Sequence, residues 1–197
     1  MPASGTLRTR GYRWLMARHL VTDRLVLRPW QVDDAPAALR SYGDEEVARW
    51  LSPTMDQVTD VGGMRLVLQQ WIAEDERMLT PAGRWAIDLR DGGGLIGGVT
   101  LLPLPPDDEY EMGWQLERAC WGNGYATEAG TALARWAFSQ GLEQVIALVR
   151  PANSRAAGTV RRLRMEWVGY TEKYHRLRLQ EFRLRPADLA DDAAPGL

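Results

Sequence analysis

The chain has 197 residues, which is the size of one domain with a sizeable core, and a formal charge of -2 that offers no basic footprint for DNA or RNA. Hydrophobic residues at 45% and charged residues at 25% are ordinary for a globular chain, and no apolar run approaches the about 20 residues that cross a bilayer as a helix. A single cysteine, Cys120, excludes an internal disulfide and suits a reducing compartment, so a cytoplasmic location is expected.

The first 19 residues carry Arg8, Arg10, Arg13, Arg18 and His19 without any acidic residue, and they lack the apolar block of a secretory signal. They read as a disordered or surface-docked basic arm, or equally as an overlong start, because Met16 leads directly into the first strand. One domain is expected over 20–186. The acidic tail over 187–197, rich in Ala and Pro, is expected to fray. Within the domain, Leu25, Val26 and Leu27 form an extended run closed by Pro29. Asp33 and Asp34 offer N-caps for a short helix from Ala35 to Tyr42, and a second short helix follows near 44–51. Between 60 and 77, Met64, Val67, Leu68, Trp71 and Ile72 recur at helical spacing. Extended runs at 85–89 and 95–101 flank Asp91, Gly92, Gly93 and Gly94, a hairpin signal. Pro103, Pro105 and Pro106 with two Asp residues mark an exposed loop.

A strand-like run at 109–116 then leads into Trp121-Gly122-Asn123-Gly124-Tyr125-Ala126-Thr127. A helical face of Ala129, Leu133, Ala134, Trp136, Ala137 and Phe138 follows and ends at Gly141, a C-cap residue. An apolar strand at 145–149 and a basic helix after Asn153 come next. Extended runs at 165–170 and 181–184 close the sheet. There is no internal repeat and no linker.

A strand, a glycine loop and a helix N-terminus make an anion site, because the first helical N–H groups lack internal partners and carry partial positive charge. Phosphate or pyrophosphate is the ligand such a site fits. A nucleotide-triphosphate loop is a poor reading, since Tyr125 and Ala126 stand where Lys and Ser or Thr would follow the second glycine. A dinucleotide loop is weak too: Thr127 occupies the place of a third small residue, and the motif does not open the domain. Taken alone, the stretch also reads as a glycine turn that merely starts a helix.

With its flanks it says more. The loop, preceded by Glu111-Met112-Gly113-Trp114 and followed by the strand that runs to Asn153, resembles the GNAT superfamily of acyl-CoA N-acyltransferases, and within it the RimJ/RimL-like ribosomal-protein N-acetyltransferase branch. Trp121, Gly124 and Ala126 match that branch's pyrophosphate loop. Residues 22–30, followed by Asp33-Asp34-Ala35, resemble its first strand and helix, so that the likeness spans roughly 20–186. The resemblance implies an α/β (α+β) fold: a central, mostly antiparallel sheet, splayed at the fourth and fifth strands, with helices on both faces. It also implies acetyl-CoA as cosubstrate and transfer of its acetyl group to a primary amine, of a small molecule or a protein N-terminus, by direct attack in a ternary complex. No nucleic acid or membrane partner is implied, and a homodimer stays open. Two rival readings remain beside it: an idle acyl-CoA-binding regulatory module, and a transferase for another acyl group such as succinyl.

Residue by residue, the likeness assigns the pyrophosphate cradle to Trp121, Gly122, Asn123, Gly124, Tyr125, Ala126 and Thr127. It assigns the amides that hold pantetheine and the thioester oxygen to Gly113, Trp114, Gln115 and Leu116, and a contact to the pantetheine arm to Asn153. Asn153 also reads as a helix N-cap. Glu111 matches the Glu of the family's Glu-x-Gly pattern and shares a strand face with Glu109 and Gly113. A carboxylate beside a partly dry cleft can draw a proton from an amine through water, although an Arg-paired surface carboxylate is the bland alternative. The chain departs from its relatives at Ala156 and Val160, where many carry the Ser or Tyr that serves the leaving thiolate. Tyr174 is then the best remaining hydroxyl, in competition with Tyr170, His175, water and direct thiolate release. Cys120 has no neighbouring His base and reads as a small buried thiol. His19 and His175 are too few and too far apart for a metal site. Most Trp residues read as core, with Trp30, Trp50, Trp71 and Trp85 as the candidates for an acceptor pocket.

Overall fold

The computed structural model describes residues 19–51 and 55–193. The basic arm expected at 1–19, His19 excepted, and residues 194–197 of the tail lie outside the described residues. Eight strands form one sheet: β1 (Leu20–Val21), β2 (Leu25–Pro29), β3 (Gly83–Leu89), β4 (Gly94–Leu104), β5 (Glu109–Leu116), β6 (Val145–Val149), β7 (Glu166–Thr171) and β8 (Leu179–Leu184), in the order β1-β2-β3-β4-β5-β6-β8-β7. The helices are α1 (Ala35–Tyr42), α2 (Glu45–Leu51), α3 (Val61–Asp75), α4 (Tyr125–Ser139) and α5 (Ser154–Arg162). Every neighbouring pair is antiparallel except β5 and β6, which run parallel and pair only at Glu111 and Ile146. Beyond Glu111 the two strands part, so one edge of β5 from Met112 to Leu116 has no sheet partner. The splay expected at the fourth and fifth strands therefore lies at the fifth and sixth, because Leu20–Val21 adds a short strand to the count.

Burial follows the two faces. On one, α4 and α5 press Ala129, Leu133, Ala137, Val160 and Leu163 against Leu25, Leu27, Trp85, Ile87, Val99, Met112 and Phe182. On the other, Met64 and Leu68 of α3 and Ala35 and Ala38 of α1 close over Trp30, Ala86 and Leu95. Each large apolar side chain so buried contributes roughly 1.5–3 kcal/mol of transfer free energy, which is what holds these short helices in place. Leu104, Ile146, Tyr174 and Leu179 form a third, small cluster beside the splay.

Local differences from expectation have physical causes. Asp34 occupies the N-cap position of α1, yet its carboxylate accepts from Gln31 N and from Arg28 instead of capping that helix. β4 runs on through Pro103 to Leu104, where an exposed loop was expected. Past Leu101 it has no β3 partner, and at such an edge the missing proline N–H costs little. The chain after Pro186 continues as a 3-10 helix to Ala193, with Leu189 packed on the larger core, where fraying from 187 was expected.

Candidate active site

The glycine loop turns on two left-handed residues, Gly122 (φ 82) and Gly124 (φ 80), a conformation that a Cβ disfavours. Gly124 is the N-cap of α4, which therefore begins at Tyr125, and no side chain caps it. The helix closes its first bond from Glu128 N to Gly124 O, leaving the amides of Tyr125, Ala126 and Thr127 as first-turn donors. A long-range staple holds the loop. Glu128 accepts from the Thr22 hydroxyl at 2.5 Å, from Arg24 N at 2.9 Å and from the Arg24 guanidinium at 2.6 Å. Burial works to raise the Glu128 pKa, but these donors outweigh it and hold the carboxyl below its usual range. Arg24 also lies 4.7 Å over the Tyr125 ring and donates to Asn123 O.

A cleft of about 600 Å³ opens at this helix end and follows the free edge of β5. Gly113, Trp114, Gln115, Leu116, Trp121, Gly122, Gly124, Tyr125, Ala126, Thr127 and Asn153 all line it. Asn123 does not, since its side-chain amide turns back onto the carbonyls of Cys120 and Trp121. Trp121 donates to Leu116 O at 2.9 Å, tying the loop to the end of β5. Gly113 sits tightly here: a Cβ would lie 2.8 Å from Thr100 Oγ1, so that the hydroxyl would have to shift. Asn153 caps α5 by accepting from Ala156 N at 3.0 Å, so its capping role is occupied while it faces the cleft. Two arginines absent from the sequence reading, Arg155 stacked 4.1 Å over Trp121 and Arg162 beside Thr127, add positive charge to the wall.

A second cleft of about 650 Å³ shares Trp50, Leu51, Glu111, Gly113, Gln115, Leu148 and Asn153 with the first. The two thus meet at the splay. Of the four tryptophans expected at an acceptor pocket, Trp50 and Trp71 line this cleft, whereas Trp30 and Trp85 are buried in the cores. Tyr42 donates to Gln115 Oε1 at 3.3 Å on the shared floor. Glu111 faces both clefts, with His175 Nε2 3.7 Å from its carboxylate.

Tyr174 is 3% exposed, and its hydroxyl lies 3.2 Å from both Asp107 and Glu109. Burial and the neighbouring Glu109 carboxylate push its pKa up to about 12. The thiolate-acid role expected of Tyr174 conflicts with this geometry. The proton is already donated to a carboxylate, and giving it to a thiolate of pKa about 8.5 would be uphill. Cys120 borders the first cleft, and burial together with Glu117 raises its thiol pKa, the opposite of an activated nucleophile. No group of His, Cys, Asp and Glu suited to a metal ion occurs among the described residues.

Residues 24–166 match the family model of the acetyltransferase (GNAT) domain. The chain belongs to the GNAT acetyltransferases. It is 28% identical over 159 residues to the N-acetyltransferase p20 of Bacillus licheniformis, covering 80% of this chain and 87% of that protein. The acetyltransferase of Agrobacterium tumefaciens has a similar structure (TM-score 0.68, 26% identity, 85% of this chain and 94% of the other). RimJ of Mycobacterium smegmatis in complex with CoA-disulfide shares the fold (TM-score 0.70, 19% identity, 84% and 83%). This GNAT enzyme therefore has its glycine loop and splayed strands within the matched segment, which ends at the start of the β7–β8 hairpin.

Proposed function

We propose that this GNAT enzyme transfers the acetyl group of acetyl-CoA to a primary amine by direct attack in a ternary complex. The observation that carries the reading is the meeting of two clefts at the splay, with Glu111 at their junction. The loop fits a pyrophosphate: Gly122 and Gly124 leave room for it, the uncapped first turn of α4 supplies N–H donors, and Arg155 and Arg162 supply charge. The unpaired edge of β5 from Gly113 to Leu116 suits the amide-rich pantetheine arm, and its donors would hold the thioester oxygen. Solved GNAT-fold neighbours support the cosubstrate, among them the microcin C7 self-immunity acetyltransferase MccE in complex with acetyl-CoA and AMP.

On the other side, Glu111 accepts a proton from the acceptor ammonium, and the aromatic wall of Trp50 and Trp71 packs its body. Expulsion of sulfur as thiolate needs no side-chain acid in this site. Tyr174 instead ties the β7–β8 loop to Asp107 and Glu109. Fold neighbours include the ribosomal-protein-S5-alanine acetyltransferase of Vibrio fischeri as well as MccE, so protein N-termini and small amines both belong in the acceptor screen. Release of CoA thiol from acetyl-CoA, followed against Ala- and Ser-initiated peptides and aralkylamines, tests the reading. Amine-dependent release is expected; CoA binding with no release by any amine, or release from succinyl-CoA alone, would overturn it.

A further inference from the structure

The β7–β8 connection is strapped onto the β4–β5 hairpin. Lys173 pairs with the Asp107 carboxylate, the Tyr174 hydroxyl reaches Asp107 and Glu109, and Leu177 packs on the small cluster around Leu104 and Ile146. Between these anchors His175 (φ 56) and Arg176 (φ 55) are consecutive left-handed residues, and neither is glycine. Such a backbone persists only where its surroundings enforce it, and it concentrates at functional sites. Its result is to hold the imidazole Nε2 3.7 Å from Glu111 Oε2, with His175 31% and Glu111 28% exposed at the side chain. Glu111 faces the splay, and His175 leads from it along the second cleft.

Resting on the reading of Glu111 as base, we propose that His175 is a positioning residue for Glu111 and relays to solvent the proton that Glu111 takes from the acceptor amine. The ammonium gives one proton to the Glu111 carboxylate. The resulting carboxylic acid passes it to His175 Nε2, and the imidazolium releases a proton from Nδ1 to water; Glu111 is then a carboxylate again, and exchange of the Nε2 proton for one at Nδ1 through solvent restores the starting tautomer of His175. The neutral amine forms the new C–N bond as the C–S bond breaks. The second proton lost from nitrogen is balanced by the thiolate, which takes it up from water. His175 must be neutral to accept, so turnover rises with pH through the titration of His175.

The charged groups around the imidazole come from several elements: Glu111 and Glu109 on β5, Asp107 before it, Lys173 and Arg176 in its own loop, Glu181 on β8, and Arg150 across the same cleft. Lys173 is answered by Asp107, and Glu109 by Tyr174 and Gln144. Glu111 is the carboxylate that contacts the ring. That contact raises the His175 pKa against the opposing effect of burial.

The chain has two histidines, so proton NMR resolves both ring titrations, with His19→Gln supplying the assignment. His175 is expected to titrate above the ordinary value of about 6.5 and to move back down toward it in Glu111→Gln. In kinetics with acetyl-CoA and an Ala-initiated peptide or phenethylamine, His175→Gln should lower kcat about tenfold near neutral pH. It should remove the rising limb of the pH profile and leave the KM for acetyl-CoA unchanged. Added imidazole should restore part of the rate to His175→Ala, which a merely structural role would not allow. An unchanged His175 titration in Glu111→Gln, or a parental pH profile in His175→Gln, overturns the proposal. Loss of turnover in Glu111→Gln alone sinks only the relay, whereas parental rates in both variants sink the base as well.

Discussion

Residues 121–127 form the proposed anion cradle from one contiguous stretch, and the donors it offers are backbone N–H groups at the start of α4. The wall across the splay takes Trp50 from α2, Trp71 from α3, Glu111 from β5 and His175 from the β7–β8 loop. The first region needs small residues and a helix start, so its requirements are written locally. The second needs side chains from four separate segments, and any of them can change without disturbing a motif. A cosubstrate common to a family and an acceptor that differs among its members would divide in this way.

The comparison can be broken most directly at Glu111. Glu111→Gln is expected to lower kcat by about 10²- to 10⁴-fold with CoA affinity unchanged, as steady-state kinetics and calorimetry would show. A parallel loss of CoA affinity would mean that the two regions are not separable. Gly124→Val gives the converse effect: a β-branched residue at φ 80 strains the loop and crowds the pyrophosphate. CoA affinity should fall at least about tenfold, equivalent to about 1.4 kcal/mol, in a protein whose circular dichroism matches the parent.

Smaller effects sharpen the picture. Glu128→Gln breaks the staple between the loop and the β1–β2 turn, at a cost of about 1 kcal/mol once the exposure of Arg24 is allowed for. Because the folded pKa of Glu128 is lowered, its stabilisation is present above the unfolded value of about 4.3 and is lost as pH falls through the folded one. Urea denaturation should therefore separate parent and variant at neutral pH and bring them together in acid; a gap that persists at low pH would count against the ion pair. Tyr174→Phe should change kcat by no more than about threefold, since the phenol is given no proton to transfer. A hundredfold loss would restore it as the thiolate's acid.

Much of the fold was legible because its signals are short-range. The bounds of α1, the Asp91 to Gly94 turn and the start of β5 each follow from spacing or from a turn residue within a few positions. The place of the loop residues along one cleft was legible for the same reason, apart from Asn123, whose type matched the motif while its side chain serves the loop itself. Arg24 and Glu128 were not, since 104 residues separate them and neither carries a local signature of the other. The surroundings of Tyr174 could not be read from its type: a hydroxyl beside the site looked available, and only the packed structure shows Asp107 and Glu109 in front of it.

The sequence by itself determined the strand, glycine loop and helix that form the proposed cradle, because backbone donors and left-handed turns depend on residues next to one another. Tertiary structure decided which side chains share the splay. Whether Trp71 lines a cleft while Trp85 fills a core, and whether a histidine meets Glu111, depends on how α3 and the β7–β8 loop fold back on the sheet, over separations that no local pattern encodes.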